Sequence, residues 1–446
     1  MNRSFPLALV LLASRAAAQT PASSAPPAAA ARAPGADAPR VLGLDEALRL
    51  GLARQPQLRQ AQASTEAARA RVDQAFAPLL PQVSGTASYQ RSSSASTAAL
   101  ASSGFFSTTG ARELYSAGLT GRLLVWDFGQ TSGRWRAAQA IASGQADSEH
   151  GTAQAVALSI RTTYFDAVAN KALLAVARET LANEEKHLEQ TRAFVEIGTR
   201  PPIDLVQERV NLANARVRLI QADNAYATAR VQVEQAIGVT DLGPWDIADT
   251  SLPPVPGEDA APPVLLAEAI AARPELAALR EQLRGQELTV RALEGGYGPS
   301  LGVQAGLTES GAKPDDLSSG WNTQVTLSWP LFQGGQTRGQ VREARANATA
   351  LDAQSEQLAQ QIRLELEQAR LSVRAAGATL GASEEAADAA RERLTLAEGR
   401  YQTGVGSLLE LSDAQVALTT ALGQRVQSEF QLAAARSQLL RALGRP

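Results

Sequence analysis

The sequence predicts an α+β membrane protein of long, closely packed helices that carry a small strand region, with the whole plan written twice. Three observations lead there. Apolar residues recur every seven positions along extended runs, four short segments alternate apolar and polar residues, and landmarks of the first half return 206 residues later. Aromatic residues make up 4% of the chain against 44% hydrophobic residues in all, so the apolar positions are mostly Ala, Leu and Val, which suits helices in close contact.

In chain order, Met1 to Ala18 has the positive Arg3, an apolar run from Leu7 to Ala13 and small residues at Ala16 and Ala18, the pattern of a secretory signal peptide. Residues 19–40 are rich in Ala and Pro and are expected to be disordered. A first repeat is expected over 41–238, a Pro-rich linker over 239–262, and a second repeat over 263–446. No later segment approaches the ~20 consecutive apolar residues of a membrane-spanning helix.

The repeat rests on matched landmarks. Gly129-Gln130-Thr131 aligns with Gly335-Gln336-Thr337, and Gly198 then falls on Gly404, Leu205 on Leu411 and Ile237-Gly238 on Leu443-Gly444. Heptad positions follow the same offset: Ile160, Ala167, Leu174, Leu181, Leu188 and Val195 correspond to Leu366, Val373, Leu380, Ala387, Leu394 and Tyr401. This spacing predicts long helices at about 131–197, 203–237, 337–403 and 408–443, supercoiled on one another. The longest would reach ~100 Å at ~1.5 Å per residue. The return helix covers half of that, so the earlier helix from Pro56 to Ala77 is expected to stack end to end with it.

Strands are expected at about 82–90, 114–126, 301–309 and 320–329. In the clearest, Trp321, Thr323, Val325, Leu327 and Trp329 share one face and Asn322, Gln324, Thr326 and Ser328 the other. The two tryptophans would lie ~26 Å apart, close to the ~25 Å apolar band of an outer-membrane barrel between its aromatic girdles. Four strands cannot close such a barrel, and open edges are not tolerated in lipid. A spanning barrel must be shared between chains, and three copies give twelve strands.

The segments Leu44-Asp45-Glu46-Ala47-Leu48, Gln55-Pro56-Gln57-Leu58 and Leu331-Phe332-Gln333-Gly334-Gly335, in this order within a duplicated plan of helices, hairpin and helices, resemble the TolC-like outer-membrane efflux protein family. The resemblance spans about Leu44 to Gly444. It implies a trimeric 12-stranded β-barrel in the cell outer membrane, four strands per protomer, continued into the periplasm as a long α-helical coiled-coil barrel. The implied partners are two further copies of the chain, a periplasmic adaptor, an inner-membrane transporter and outer-membrane lipid.

The resemblance also assigns roles at the two helical hairpin tips. Glu410 and Asp413 match the acidic residues of the periplasmic gate, and Tyr401 and Asp204 match a polar link that holds the tips closed. The arginine of a second family link falls on Gly406, so that link is absent, and Arg200 of the other tip could take its place. Gly198, Gly404, Val405 and Leu408 match adaptor-contact positions, and Trp321 and Trp329 would form the barrel's aromatic girdle.

Other functions find no support. A net charge of -3 gives no basis for nucleic-acid binding, and the absence of cysteine excludes disulfides, thiolate metal sites and a lipid-modified N-terminal cysteine. His150 and His187 form no metal spacing and are expected to be solvated helix positions. Gly334-Gly335 lacks the further glycines and lysine of a phosphate-binding loop. No catalytic constellation and no cofactor site is expected. The leading reading is a passive exit duct for small molecules; the open alternatives are the outer-membrane channel of a type I protein secretion system and a non-conducting trimeric coiled-coil tether.

Overall fold

The structure, a computed structural model, describes residues 40–92, 112–240, 242–258 and 260–445. The signal-peptide and disordered stretches expected up to residue 39 lie outside the described residues, as does most of the first hairpin loop. In order the elements are β1 (Arg40–Leu42), α1 (Leu44–Arg54), α2 (Pro56–Phe76), β2 (Gln82–Ser92), β3 (Arg112–Trp126), α3 (Gln130–Glu196), α4 (Pro202–Ile237), β4 (Trp245–Ile247), α5 (Pro262–Ala272), α6 (Pro274–Glu294), β5 (Ser300–Lys313), β6 (Asp316–Ser328), α7 (Gln336–Gln402) and α8 (Leu408–Ala442). Among the described residues no helix is long and apolar enough to cross a membrane.

The two halves have matching element lengths. Helices α3 and α7 each run 67 residues, and α2 and α6 each run 21. Glycines hold the left-handed conformation where each long helix begins and each hairpin turns: Gly129 at φ 86° and Gly335 at 85°, Gly198 at 78° and Gly404 at 81°. A residue with a Cβ pays steric strain there, which is why glycine recurs.

Each long helix is covered along one side by two shorter ones. Against α3 lie α2 and α4, joined end to end where the Gln55 side-chain amide donates to the Ala236 carbonyl at 3.0 Å. The second half repeats the joint, with Arg273 Nε donating to the Ala442 carbonyl at 3.1 Å. Each contact satisfies one of the last carbonyls of a helix, which have no partner within it.

Two apolar clusters lie near mid-length, and a third, smaller one at the end of α7 and the start of α8 gathers Leu394, Tyr401, Leu408 and Leu411. The first gathers Ile160 and Tyr164 of α3, Val233 and Ile237 of α4, and Ala47 of α1; the second gathers Ile362 and Leu366 of α7, Leu439 of α8, and Leu265 of α5. Each fully buried aliphatic side chain contributes ~1.5–3 kcal/mol of transfer free energy.

The stretch expected to be a linker is instead part of the fold. Trp245 and Ile247 enter the first cluster, Val255 enters the second, and β4 pairs with β1. Apolar side chains at alternate positions between prolines give the segment a face to bury, and this outweighs its loop-like composition. The Tyr164 hydroxyl lies 3.1 Å from the carbonyls of Leu42 and Ala248 and from Thr250 Oγ1. Tyr164→Phe is expected to cost about 1 kcal/mol, read as a lower denaturation midpoint.

The four strands form one antiparallel sheet in the order β2-β3-β5-β6. Register aligns Ala87 with Ala117, Leu119 with Leu307, and Val303 with Val325, so Val83, Leu119, Leu307 and Val325 share an apolar face. Ser84, Thr120, Gln304 and Gln324 lie on the opposite, polar face. A shift between Leu124 and Trp126 brings Trp126 opposite Leu301, a place expected for Val125. Trp321 is exposed on the apolar face. Trp329 lies one residue past the end of β6, exposed, with its indole N–H donating to the Tyr297 carbonyl at 3.1 Å.

Candidate functional site

Both hairpin tips close by the same backbone device. The N–H groups of Gly198 and Thr199 donate to the carbonyls of Val195 and Phe194 at 3.0 Å, and those of Gly404 and Val405 donate to Tyr401 and Arg400 at 3.1 and 3.0 Å. This pairing stops each helix, and the left-handed glycine lets the chain turn back. The restarts differ: α4 begins on Pro201-Pro202, whereas α8 is capped by Ser407, whose hydroxyl accepts the Glu410 N–H at 3.2 Å.

Arg200 joins the two tips. Its Nη2 donates to the carbonyls of Tyr401 at 3.1 Å and Gly406 at 3.0 Å, while its guanidinium carbon sits 4.4 Å from the centre of the Tyr401 ring. Gly406 is the counterpart of Arg200 at the 206-residue offset, so one tip's arginine grips the glycine at the matching position of the other. A Cβ on Gly406 would meet Arg400 Cβ at 2.9 Å. Lack of a side chain there leaves the carbonyl within reach of Arg200.

The expected link between Tyr401 and Asp204 is not formed within the chain. Tyr401 is buried, and its hydroxyl pairs with Thr191 Oγ1 at 3.2 Å. Its ring meets Phe194 edge to face at 6.1 Å. Asp204, in the first turn of α4, has its N–H on the Pro201 carbonyl at 3.1 Å. Packing with Phe194 and Arg200 directs the Tyr401 ring along α3, toward Thr191 and away from the start of α4.

Glu410 and Asp413 have different surroundings. Glu410 is half-buried and forms an ion pair with Arg400 Nε at 3.1 Å. Asp413 is exposed and has no ion-pair partner among the described residues. Of the residues matched to adaptor contact, Gly198, Gly404 and Val405 are exposed. Leu408 is not: at 7% exposure it packs on Leu394, Tyr401 and Leu411, because the first turn of α8 points it inward. The apolar side chains that do face outward at the tips are Val405, Leu409, Ile197 and Ile203.

Above the tips the helices bury polar groups, among them one expected in solvent. On α3, Glu184, His187 and Thr191 are all buried, whereas Leu181 and Leu188 are only half-buried. His187 is therefore no solvated position: it lies 3.5 Å from Glu398 Oε1 of α7, and burial lowers its pKa despite that carboxylate. The spacing of three and four residues, which puts these three groups on one helix face, was the available signal.

The comparisons with known proteins agree with this architecture. The family model described as "Outer membrane efflux protein" matches residues 47–239 and again 265–445. Protein CyaE of Bordetella pertussis is 27% identical over 90% of this chain and 84% of its own length. The probable efflux pump outer membrane protein TtgC of Pseudomonas putida is 24% identical over 90% of this chain and 82% of its own. Among solved structures, the Campylobacter jejuni CmeC outer membrane channel shares the fold, with a TM-score of 0.78 at 18% identity over 90% of this chain and 85% of that one. The chain is a member of the outer membrane efflux protein family.

Proposed function

We propose that the protein works as a homotrimeric exit duct in the outer membrane, passing small molecules delivered by an inner-membrane transporter through a periplasmic adaptor. The observation that carries this reading is the sheet. Both of its edges, β2 and β6, lack a partner strand among the described residues, and it has one apolar and one polar face. In lipid such edges would leave a row of unsatisfied backbone groups costing several kcal/mol each. Strands β2 and β6 run in opposite directions, so β6 of one copy can extend the sheet onto β2 of the next in antiparallel sense. Three copies close a twelve-stranded barrel with lipid outside and a wet bore inside, and the head-to-tail contact closes by rotation.

The helices continue the bore into the periplasm, and the tips are its constriction. Glu410 and Asp413 form the charged part of the gate; Tyr401 with Arg200 holds it, with Asp204 at the adjoining start of α4. The exposed tip residues Gly198, Gly404 and Val405, with the outward apolar side chains beside them, meet the adaptor. The naming of relatives such as TtgC as efflux pump components supports efflux of small molecules.

Native mass measurement of the purified protein is expected to give three chains, and planar bilayers are expected to show a stepwise conductance. Deletion of the protein should increase drug susceptibility of its host. An inert trimer would instead support a tether, and a monomer in detergent and in membranes would overturn the shared barrel.

A further inference from the structure

Between the tips and the mid-length core, α3, α4 and α8 enclose polar side-chain atoms without a well-formed hydrogen bond among the described residues. Glu208 of α4 is fully buried, and neither carboxylate oxygen has a partner among the described residues. Glu184 of α3 is buried with Oε2 unpartnered, and Gln415 of α8 is buried with both amide atoms unpartnered. Glu184 and Gln415 line one cavity of about 20 Å³ together with Thr180 and Thr419, room for about one water molecule. Unsatisfied buried carboxylates are costly unless they hold a proton or a counter-charge.

The counter-charges nearby are few. From α4 comes Arg218, the cation beside Glu184; Asp204 is a further carboxylate that adds to the repulsion on Glu208, and Asn211, whose amide donates to Ser412 Oγ of α8 at 3.3 Å, is neutral and lowers the Glu208 pKa. From α3 comes His187, paired across to Glu398 of α7. We infer that Glu184, Glu208 and Gln415 form a buried proton-binding site that ties α3, α4 and α8 together, and that loss of its proton loosens the hairpins above the tips.

Burial and the Glu184 carboxylate push the Glu208 pKa up to about 7, and burial raises Glu184 as well. A carboxyl whose folded pKa lies above its unfolded one stabilises the fold fully at low pH, and this contribution fades as pH rises through the folded value. His187 works the other way, because its folded pKa is lowered and the packed state gains as pH rises through the ordinary value of 6.5. From pH 6.5 to 8.5 it is mainly neutral in both states, so its opposing effect is the smaller one. Over that window the Glu208 proton alone should shift the packed-to-loosened equilibrium about fourfold per chain.

The coupling to opening rests on the duct reading, whereas the proton site itself does not. The test uses the full-length protein, its Glu208→Gln and Glu184→Gln variants, and two measurements between pH 6.5 and 8.5. Infrared difference spectra should show a protonated-carboxyl band that disappears on raising the pH and is missing in Glu208→Gln, with a shifted midpoint in Glu184→Gln. Bilayer conductance should rise with pH in the parent and stay level in Glu208→Gln. A band that survives both substitutions overturns the site. A band lost in Glu208→Gln while conductance keeps its pH dependence overturns the coupling, and leaves the duct reading standing on the conductance itself.

Discussion

Replacing Arg200 with methionine is expected to raise the resting conductance of the channel several-fold. Methionine keeps much of the apolar contact with the Tyr401 ring and removes the charge. Two hydrogen bonds from the guanidinium to the Tyr401 and Gly406 carbonyls are lost, with the contact of the cation on the ring. A hydrogen bond made by a charged group is worth ~1.5–3 kcal/mol, and a partly solvated cation on an aromatic ring adds ~0.5–1 kcal/mol. Solvent at the half-buried Arg200 screens part of this, so about 1–2 kcal/mol per chain remains. That shifts the equilibrium between joined and separated tips by roughly 5–30-fold per chain. Arg200→Lys should recover little, since lysine cannot span both carbonyls with a planar fork. Unchanged conductance in both variants would mean that the tips are held by other contacts.

Asp413→Asn is expected to weaken block by multivalent cations added from the periplasmic side by roughly tenfold, with a smaller effect from Glu410→Gln. Three copies place six carboxylates at the proposed constriction, but Glu410 is already paired with Arg400 at 3.1 Å. Its field is therefore partly cancelled, while that of Asp413 is not. At ~6 Å in water a single charge pair is worth about 0.7 kcal/mol, and a divalent ion facing three Asp413 copies gains several times that. Arg400→Gln supplies the opposite check. Freed from its partner, Glu410 should strengthen the block. Titrating trivalent and divalent cations against single-channel current distinguishes the three variants, and equal block in all of them would place both carboxylates away from the constriction.

Most of the helical plan was legible from residue order, because it depends on local rules. Glycine is required where φ is positive, as at Gly129, Gly198 and Gly404, and heptad spacing decides which side of a long helix is apolar. The strands were legible for the same reason, since alternation at Trp321, Val325 and Leu327 reports a sheet with two unlike faces. Errors arose where one position must satisfy several neighbours at once. Leu408 looked available for contact, but it packs beneath Tyr401 and Leu411. The connector between the halves had a loop's composition, yet Trp245 and Ile247 fill the core.

The tips show the division most clearly. By itself the sequence determined that two hairpins turn at Gly198 and Gly404, that only one carries the pair Glu410 and Asp413, and that Arg200 of one tip corresponds to Gly406 of the other. These follow from residue identity and offset. Only the tertiary structure decided that Arg200 reaches that glycine's carbonyl, that Tyr401 turns to Thr191 and not to Asp204, and that Glu184, Glu208 and Gln415 are shut away from water. Hydrogen bonds act over about 3 Å, so their partners depend on how helices more than 200 residues apart are set against one another. Spacing along a single helix does not contain that distance.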